Sequence, residues 1–443
     1  MKVESEKLST ADSSVSIEEN VPKLRFGEFD NQWEPIPLGE VTTYLKGFAF
    51  KSEDYLSSGQ ADSRLIRVSD LSSASVKLDN QKVFLSSELV ESSARYKLQD
   101  DDILITTVGS KPELRESAVG RAIYINKAHG YLNQNLLIMR TKVEQSPKFI
   151  FSQLNTPRYI NHITNIQRGN ANQSNITVVD LFEYRVSTTI LPEQEKIAAF
   201  LSKVDEKIAL LTEKKDKLIE YKRGVMQQLF SGQWKVDSGE LTFTPPTLRF
   251  KADDGSEFPD WEEKVLGDVG SIVNGLTYSP DNVVENGTLV LRSSNIQNDQ
   301  LSFRDNVYVN ADKFNPVMVG DILICVRNGS KSLIGKNALI TVQAEGMAFG
   351  AFMTVYRSKY SAYLQHYFKT DAYKRNVHRN LGATINSING ADLKKFKVSM
   401  PSTAEQNKIA VLLNSLDMKI QHTISALEKA KEWKRGLLQQ MFV

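Results

Sequence analysis

Between residues 191 and 230 the apolar positions fall in alternating steps of four and three. Ile197, Leu201, Val204, Ile208, Leu211, Leu218, Val225 and Leu229 mark the seam, with Lys215 and Lys222 filling its remaining places. The chain's last stretch repeats the rhythm through Ile409, Leu413, Leu416, Ile420, Leu427, Ala430, Leu437 and Met441. A narrow stripe of this kind is a coiled-coil seam rather than a broad core-facing face. Neither copy contains proline after its opening turn, so each predicts an unbroken helix of about 55–60 Å at 1.5 Å per residue. The two seams match in length and pattern, and each helix is the other's expected partner.

The match extends to individual residues. Glu193/Glu405, Ile197/Ile409, Asp205/Asp417, Ile208/Ile420 and Phe230/Phe442 keep one register, and KRG, two apolar residues, QQ, one apolar residue and Phe recur at Lys222–Phe230 and Lys434–Phe442. The rest of the chain is duplicated too. Leu24–Phe26 returns as Leu248–Phe250, and Trp33, Leu38, Gly39 and Val41 return as Trp261, Leu266, Gly267 and Val269. IRVSDL (Ile66–Leu71) parallels LRSSNI (Leu291–Ile296), DDILITTVGS parallels GDILICVRNGS, and VGRAIYI parallels IGKNALI. Spacing between copies drifts from one motif to the next, so loops of unequal length join shared strands. Whole-chain duplication follows.

Each repeat is a globular part followed by a long helix. Strands are expected at Ile103–Thr107, Ala122–Ile125 and Leu136–Arg140, and at Asp321–Val326, Ala338–Thr341 and Met353–Arg357. One amphipathic helix is expected per repeat, over Lys148–Ile163 and Ala362–Arg379. The class is α+β: two similar modules with a sheet supporting long loops, joined by two long antiparallel coiled-coil helices in a pseudo-two-fold arrangement. Antiparallel pairing follows from the Gly/Ser/Pro-containing stretch Ser231–Thr247. About 17 residues fully stretched barely retrace a helix of that length, whereas an antiparallel return needs only a turn. The expected shape is a rod with two similar heads.

Composition adds bounds. The 443 residues suffice for two or three domains, and 41% apolar with 24% charged residues is ordinary for a soluble globular protein. No apolar run reaches membrane-spanning length, and MKVESEKLST lacks a signal peptide's apolar segment. A single cysteine, Cys325, excludes an intrachain disulfide framework and suits the cytoplasm. With a net charge of +2, any nucleic-acid surface must be a local basic patch.

The WxxxxLG[DE]V opening, the GDIL-type strand with its Gly–Ser loop, and EQxKIA…LD…KI…KRGxxQQxF strongly resemble the specificity subunits of type I restriction–modification systems. The resemblance covers nearly the whole chain beyond the tail; at Met400–Gln406, Thr403-Ala404 replaces the Leu-Pro of ILPEQ. Ser, Glu and Asp with few large apolar residues make 1–21 an expected disordered tail, and composition makes 232–247 a linker; the resemblance implies target recognition domains over 22–190 and 248–400 and helices over 191–231 and 401–443 that set the spacer and dock partners. It further implies a non-catalytic DNA adaptor in which each domain reads half of a split, asymmetric site. Two methyltransferase subunits using S-adenosylmethionine would modify an adenine in each half. Two restriction–translocase subunits using ATP and magnesium would join them. No cofactor or metal belongs to this chain in that reading. Half-sites about one helical turn, roughly 34 Å, apart fit a rod of the expected length.

Reading bases requires Arg, Lys, Asn or Gln at base edges, with basic and hydroxyl groups on phosphates. The amide-rich loop Gln167–Asn175 supplies Arg168, Asn170, Asn172, Gln173 and Ser174, and its counterpart supplies Arg379, Thr384 and Asn386. These are direct contacts or polar turns. The Gly–Ser loops offer Ser110, Lys111 and Arg115, and Arg327, Asn328, Ser330 and Lys331, as phosphate contacts or ordinary turns. Arg121 and Lys336 follow in the next shared strands. Arg67 and Arg292, equivalent residues after apolar runs, serve either DNA or an internal carboxylate. Trp33 and Trp261 are stacking platforms or core anchors. On the helices, Ile197, Leu201, Val204, Ile208, Ile409, Leu413, Leu416 and Ile420 belong to the coiled coil. Tyr221, Arg223, Trp433 and Arg435 are candidates for partner docking, and Gly224 and Gly436 point to close approach of the other helix or a partner, or to loosening near a helix end.

Enzyme signatures are weak. PDWEEK resembles a nuclease motif, but the first repeat has only FDNQWEP there. GSKSLIGKN resembles a phosphate-binding loop with its glycines one residue too far apart and Asn337 where Ser or Thr would bind magnesium. The five histidines show no paired ligand spacing. The competing reading is a coiled-coil scaffold with two protein-binding heads, for which salt would hardly change binding, whereas DNA contact gives a steep salt slope.

Overall fold

The computed structural model describes residues 21–57, 63–72, 75–77, 80–111, 118–127, 129–170, 173–237, 240–381 and 386–442. All but Val21 of the expected tail lies outside these residues. The chain forms two compact units, Met1–Leu211 with Ala426–Val443, and Thr212–Ser425. Both long helices are unbroken, Leu191–Leu229 and Thr403–Met441, 39 residues each.

The first unit is built on an antiparallel four-stranded sheet ordered Thr42–Lys46, Leu136–Thr141, Ile103–Thr106, Ala122–Tyr124. Its inner strand ILIT is buried at every position, as a continuous apolar run bounded by turns predicts. A smaller sheet pairs Ser63–Ile66 with Val83–Leu85 and, in parallel, with Tyr131–Leu132. Strand Glu34–Pro37 pairs with Arg185–Thr188, which delivers the chain to the first long helix. Ile197, Leu201 and Val204 from the start of that helix share one core with Leu437, Leu438 and Met441 from the end of the second. Start therefore lies beside end. The Lys434–Asp205 pair at 2.5 Å ties the two together.

The second unit repeats the plan with Ser271–Asn274, Met353–Arg357, Ile322–Cys325 and Asn337–Leu339 in the same order. Here Val225 and Leu229 share a core with Ile409, Leu413 and Leu416, and Lys222 reaches Asp417 at 2.5 Å. The lysine occupying a seam position thus has its charge met across the helix pair. Burying a Leu or Ile side chain contributes about 1.5–3 kcal/mol, so the apolar seam positions, not the ion pairs, hold the helices.

Duplicated motif residues turn out to be braces. Asp102 and Asp321, both buried, open the inner strands and accept paired hydrogen bonds from Arg140 (2.7 and 3.1 Å) and Arg357 (2.8 and 2.7 Å). Arg25 of LRF grips Glu193 at 2.6 and 2.8 Å, and Arg249 grips Glu405 at 3.1 and 2.9 Å. The indole N–H of Trp261 also donates to Glu405, at 3.0 Å. Lys196 and Lys408 of EQxK pair with Glu28 and Asp253. Gln194 donates to the Thr189 carbonyl and Gln406 to the Pro401 carbonyl, each at 2.7 Å, fixing the helix start. Trp33 and Trp261 are buried core anchors.

Two expectations change. Each amphipathic stretch is two helices, Pro147–Gln153 with Pro157–Ile166, and Ser361–Tyr367 with Asp371–Arg379. Thr156 and Thr370 cap the second helix of each pair by accepting from Tyr159 and Tyr373 N–H, and Pro157 takes the first helical position, where proline is favoured. The presumed linker over 232–247 contains a β-hairpin, Gln233–Asp237 with Glu240–Thr244. Its Trp234 packs on Phe243 and donates to Ser399 Oγ at 3.1 Å. The apolar residues Trp234 and Phe243 outweigh the polar composition.

Candidate nucleic-acid interface

In the first unit the inner strand leaves the sheet at Thr106, and Val108–Gly109 pairs with Gln173–Asn175, itself the second strand of a hairpin with Arg168–Asn170. The Gly–Ser loop and the amide-rich loop, some sixty residues apart in sequence, therefore form one polar edge. Gly169 has φ +125°, and an added Cβ would lie 2.3 Å from the Gln173 carbonyl, so only glycine closes the hairpin. Arg168 and Gln173 are exposed, Ser174 is buried, and Lys111 is exposed just beyond the edge at Ser110. Arg168 donates to Asp180 at 2.9 Å, a solvent-exposed tie worth about 0–1 kcal/mol and readily exchanged.

The second unit joins the same two stretches. Arg327 bridges to Ser387, Asn328 N–H donates to the Asn386 carbonyl at 3.2 Å, and Asn386 Nδ2 donates to the Gly329 carbonyl at 2.9 Å. Asn328 Nδ2 donates to Ser293 Oγ at 3.1 Å, and Lys336 Nζ lies 3.5 Å from the Ser293 carbonyl, bringing in the turn after Arg292. Ser330, Lys331 and Arg379 are exposed. A shallow cleft of about 220 Å³ flanks this edge, lined by Asn274, Gly275, Thr277, Ala351, Met353 and Thr354 among others.

Other candidates are engaged inside the fold. Arg67 donates to buried Asp70 at 3.0 and 3.1 Å and to the Gln81 carbonyl. Burial opposes the charge on Asp70, but hydrogen bonds from the Arg67 side chain and backbone and from Asn80 outweigh it and lower its pKa. In the second repeat Asn295 stands in the place of Asp70 and accepts the Arg292 backbone N–H at 2.9 Å. Without a carboxylate there, Arg292 turns outward to Asp305 at 3.0 Å. Arg121 is nine-tenths buried, which removes it from the exposed edge. Arg115, Asn172 and Thr384 lie outside the described residues, and Asn170 is placed by its backbone alone.

The lookalike phosphate loop has a packing explanation. Gly335 has φ +84°, a Cβ there would meet Val377 at 2.8 Å, and its carbonyl accepts the Tyr373 hydroxyl at 3.1 Å. Gly120 repeats this under Ile163 and Tyr159. Among the described residues no group of His, Cys, Asp or Glu gathers as a metal site, and no helix is long and apolar enough to cross a membrane. On the helices, Ile197, Leu201, Val204, Ile409, Leu413, Leu416 and Ile420 are buried and Ile208 is partly so. Tyr221, Arg223, Trp433 and Arg435 are exposed, and Phe200 meets the Trp433 ring edge-on at 6.1 Å. Open space surrounds the Cβ directions of Gly224 and Gly436, so neither marks close approach of the other helix.

Fold and edge together define an internally duplicated recognition protein, each α+β module carrying its own polar loop edge and followed by a long helix. The family model for the type I restriction modification DNA specificity domain matches twice, over residues 30–220 and 259–429. The chain belongs to that specificity family. It is 24% identical over 441 residues to the putative type I restriction enzyme MjaX specificity subunit of Methanocaldococcus jannaschii, with 95% of each chain covered. It is 31% identical over 183 residues to the StySPI specificity subunit of Salmonella potsdam and 28% identical over 183 residues to the EcoKI specificity subunit of Escherichia coli. Each of these two matches spans 38% of this chain and 39% of the relative. The crystal structure of a type I restriction–modification S subunit from M. genitalium shares the fold at a TM-score of 0.58 and 16% identity, over 96% of this chain and 99% of that one.

Proposed function

We propose that this chain is the sequence-reading, non-catalytic subunit of a type I restriction–modification complex, each unit reading one half of an asymmetric bipartite DNA site. The observation that carries the reading is the convergence, in each unit separately, of the Gly–Ser loop and the amide-rich loop into one edge bearing Arg, Lys, Asn, Gln and Ser. Side chains of this kind read base edges and hold phosphates. The edges differ: Val108 and Gly109 stand where the second unit has Arg327 and Asn328, so the half-sequences differ. Seam residues are spent within each unit, leaving Tyr221, Arg223, Trp433 and Arg435 as the docking candidates for methyltransferase subunits carrying S-adenosylmethionine. Restriction subunits using ATP and magnesium complete the assembly, two of each partner.

The test is a genome-wide map of modified adenines in cells with and without this chain, beside its methyltransferase partner. A split motif present only when both are expressed supports the reading, and exchanging Leu24–Ile190 for another module should change one half of it. If the methyltransferase is active and bound but no methylation depends on this chain, the specificity reading fails and a scaffold takes its place.

A further inference from the structure

The arginines proposed for DNA contact differ in what already holds them. Arg67, Arg168 and Arg292 face Asp70, Asp180 and Asp305, and Arg121 is buried. Arg327 is exposed, and no carboxylate among the described residues pairs with it. Its guanidinium carbon lies 5.7 Å from the centroid of the Phe352 ring. Phe352 is itself 59% exposed, a large aromatic left out of the core at the turn before strand Met353–Arg357. The backbone fixes the pair: Val326 and Arg327 N–H both donate to the Phe352 carbonyl, at 3.0 and 3.1 Å, and Arg327 also bridges to Ser387. Arg379, also exposed, has no comparable seat.

Resting on the DNA-reading assignment above, we propose that Arg327 reads a guanine in the half-site of the second unit, and that Phe352 is the positioning residue for its guanidinium. A cation over a ring face loses side-chain freedom, yet its N–H fork stays free. That fork matches the O6 and N7 acceptors of guanine in the major groove, whereas adenine sets a donor at the corresponding place. The first unit has the same turn without the pair. Thr107 N–H donates to the Asn135 carbonyl, as Val326 N–H does to that of Phe352, and the next residue is Val108. The first half-site therefore lacks this contact.

The experiment uses the full chain with its methyltransferase partner. Methylation motifs are mapped for wild type, R327K, R327Q, F352A and F352Y, and cognate and single-base-substituted duplexes are compared. Wild type should show an invariant G·C pair in the half-site that survives exchange of Leu24–Ile190. R327Q should relax that one position, with discrimination falling about 5- to 150-fold, and R327K, whose ammonium still donates to guanine O6 and N7, should relax it less. F352A should relax the same position about 2- to 5-fold, and F352Y should restore it. The unchanged remaining positions of the second half-site report that the variant unit folds. The inference is overturned if R327Q keeps the whole motif, which would leave Arg327 no part in reading that base. It is equally overturned if F352A weakens both half-sites alike. Absence of any split motif with the wild-type chain would instead sink the specificity assignment before the variants are compared.

Discussion

The clasp between Arg25 and Glu193 offers a sharp test of what the duplicated LRF and EQ motifs do. Glu193 is fully buried at the start of the first long helix, and the Arg25 side chain is 12% exposed. The guanidinium makes two hydrogen bonds to the carboxylate and one, at 2.6 Å, to the Asn31 carbonyl, so it joins the opening segment to the helix. In Arg25→Ala the Glu193 carboxylate loses its cationic partner and keeps the Thr189 hydroxyl at 2.6 Å. Removing one partner of a buried pair costs about 3–5 kcal/mol, because a charge is left without its counterpart in low dielectric. For a unit of this size that is roughly 6–20 °C in melting temperature. The double variant Arg25→Met with Glu193→Leu carries no buried charge and should recover most of the loss. Thermal unfolding of the purified chain or its methyltransferase complex measures both. A loss below about 1 kcal/mol for Arg25→Ala, as for a surface pair, would refute the clasp as a structural brace.

Two further outcomes are expected. Gly335→Ala combines φ +84° with a Cβ 2.8 Å from Val377, so it should destabilise the second unit by more than about 1 kcal/mol in urea unfolding, while Gly436→Ala, in open space on a helix, should stabilise by up to about 1 kcal/mol. His366 is buried, faces Asn414 Oδ1 through Nε2 at 3.0 Å, and has its pKa lowered to about 3, first by burial and then by Lys369 and Lys222. Its unfolded form takes up a proton near the ordinary value while the folded form does not, so stability should fall as pH drops from about 6.5 towards 3, by at most about 1.4 kcal/mol per pH unit. His366→Gln should flatten that slope in pH-dependent melting.

Much of this architecture is legible in the sequence because the signals are local. Apolar runs such as Ile103–Thr106 and Ile322–Cys325 announce buried strands, and steps of four and three announce both long helices. The helix breaks are legible too, in Pro157 and in the Thr-x-x-Tyr caps, but amphipathic periodicity masks them by continuing across the break. Arg67 has its carboxylate three residues away at Asp70, a partner within sight. The clasps are the missed opportunity: Arg25/Arg249 and Glu193/Glu405 are opposite charges kept at matching places in both copies, which hints at pairing. The polar edge is different. Val108–Gly109 meets Gln173–Asn175 only because strands and helices between them fold back, and no spacing rule reports that. Nor does composition show that Phe352 sits outside the core.

The first unit contains both the start of the first helix and residues 426–441 of the second. Leu437, Leu438 and Met441 complete the core around Ile197 and Leu201, and Phe442 lies 6.2 Å from Trp33. A ribosome therefore completes the first unit only after all of the second has been made. At about 5–20 residues per second, the intervening 212–425 take roughly ten to forty seconds to emerge. Throughout that interval Ile197, Leu201 and Val204 lack the strip of the second helix that packs against them, and this core stays incomplete until Leu437, Leu438 and Met441 follow.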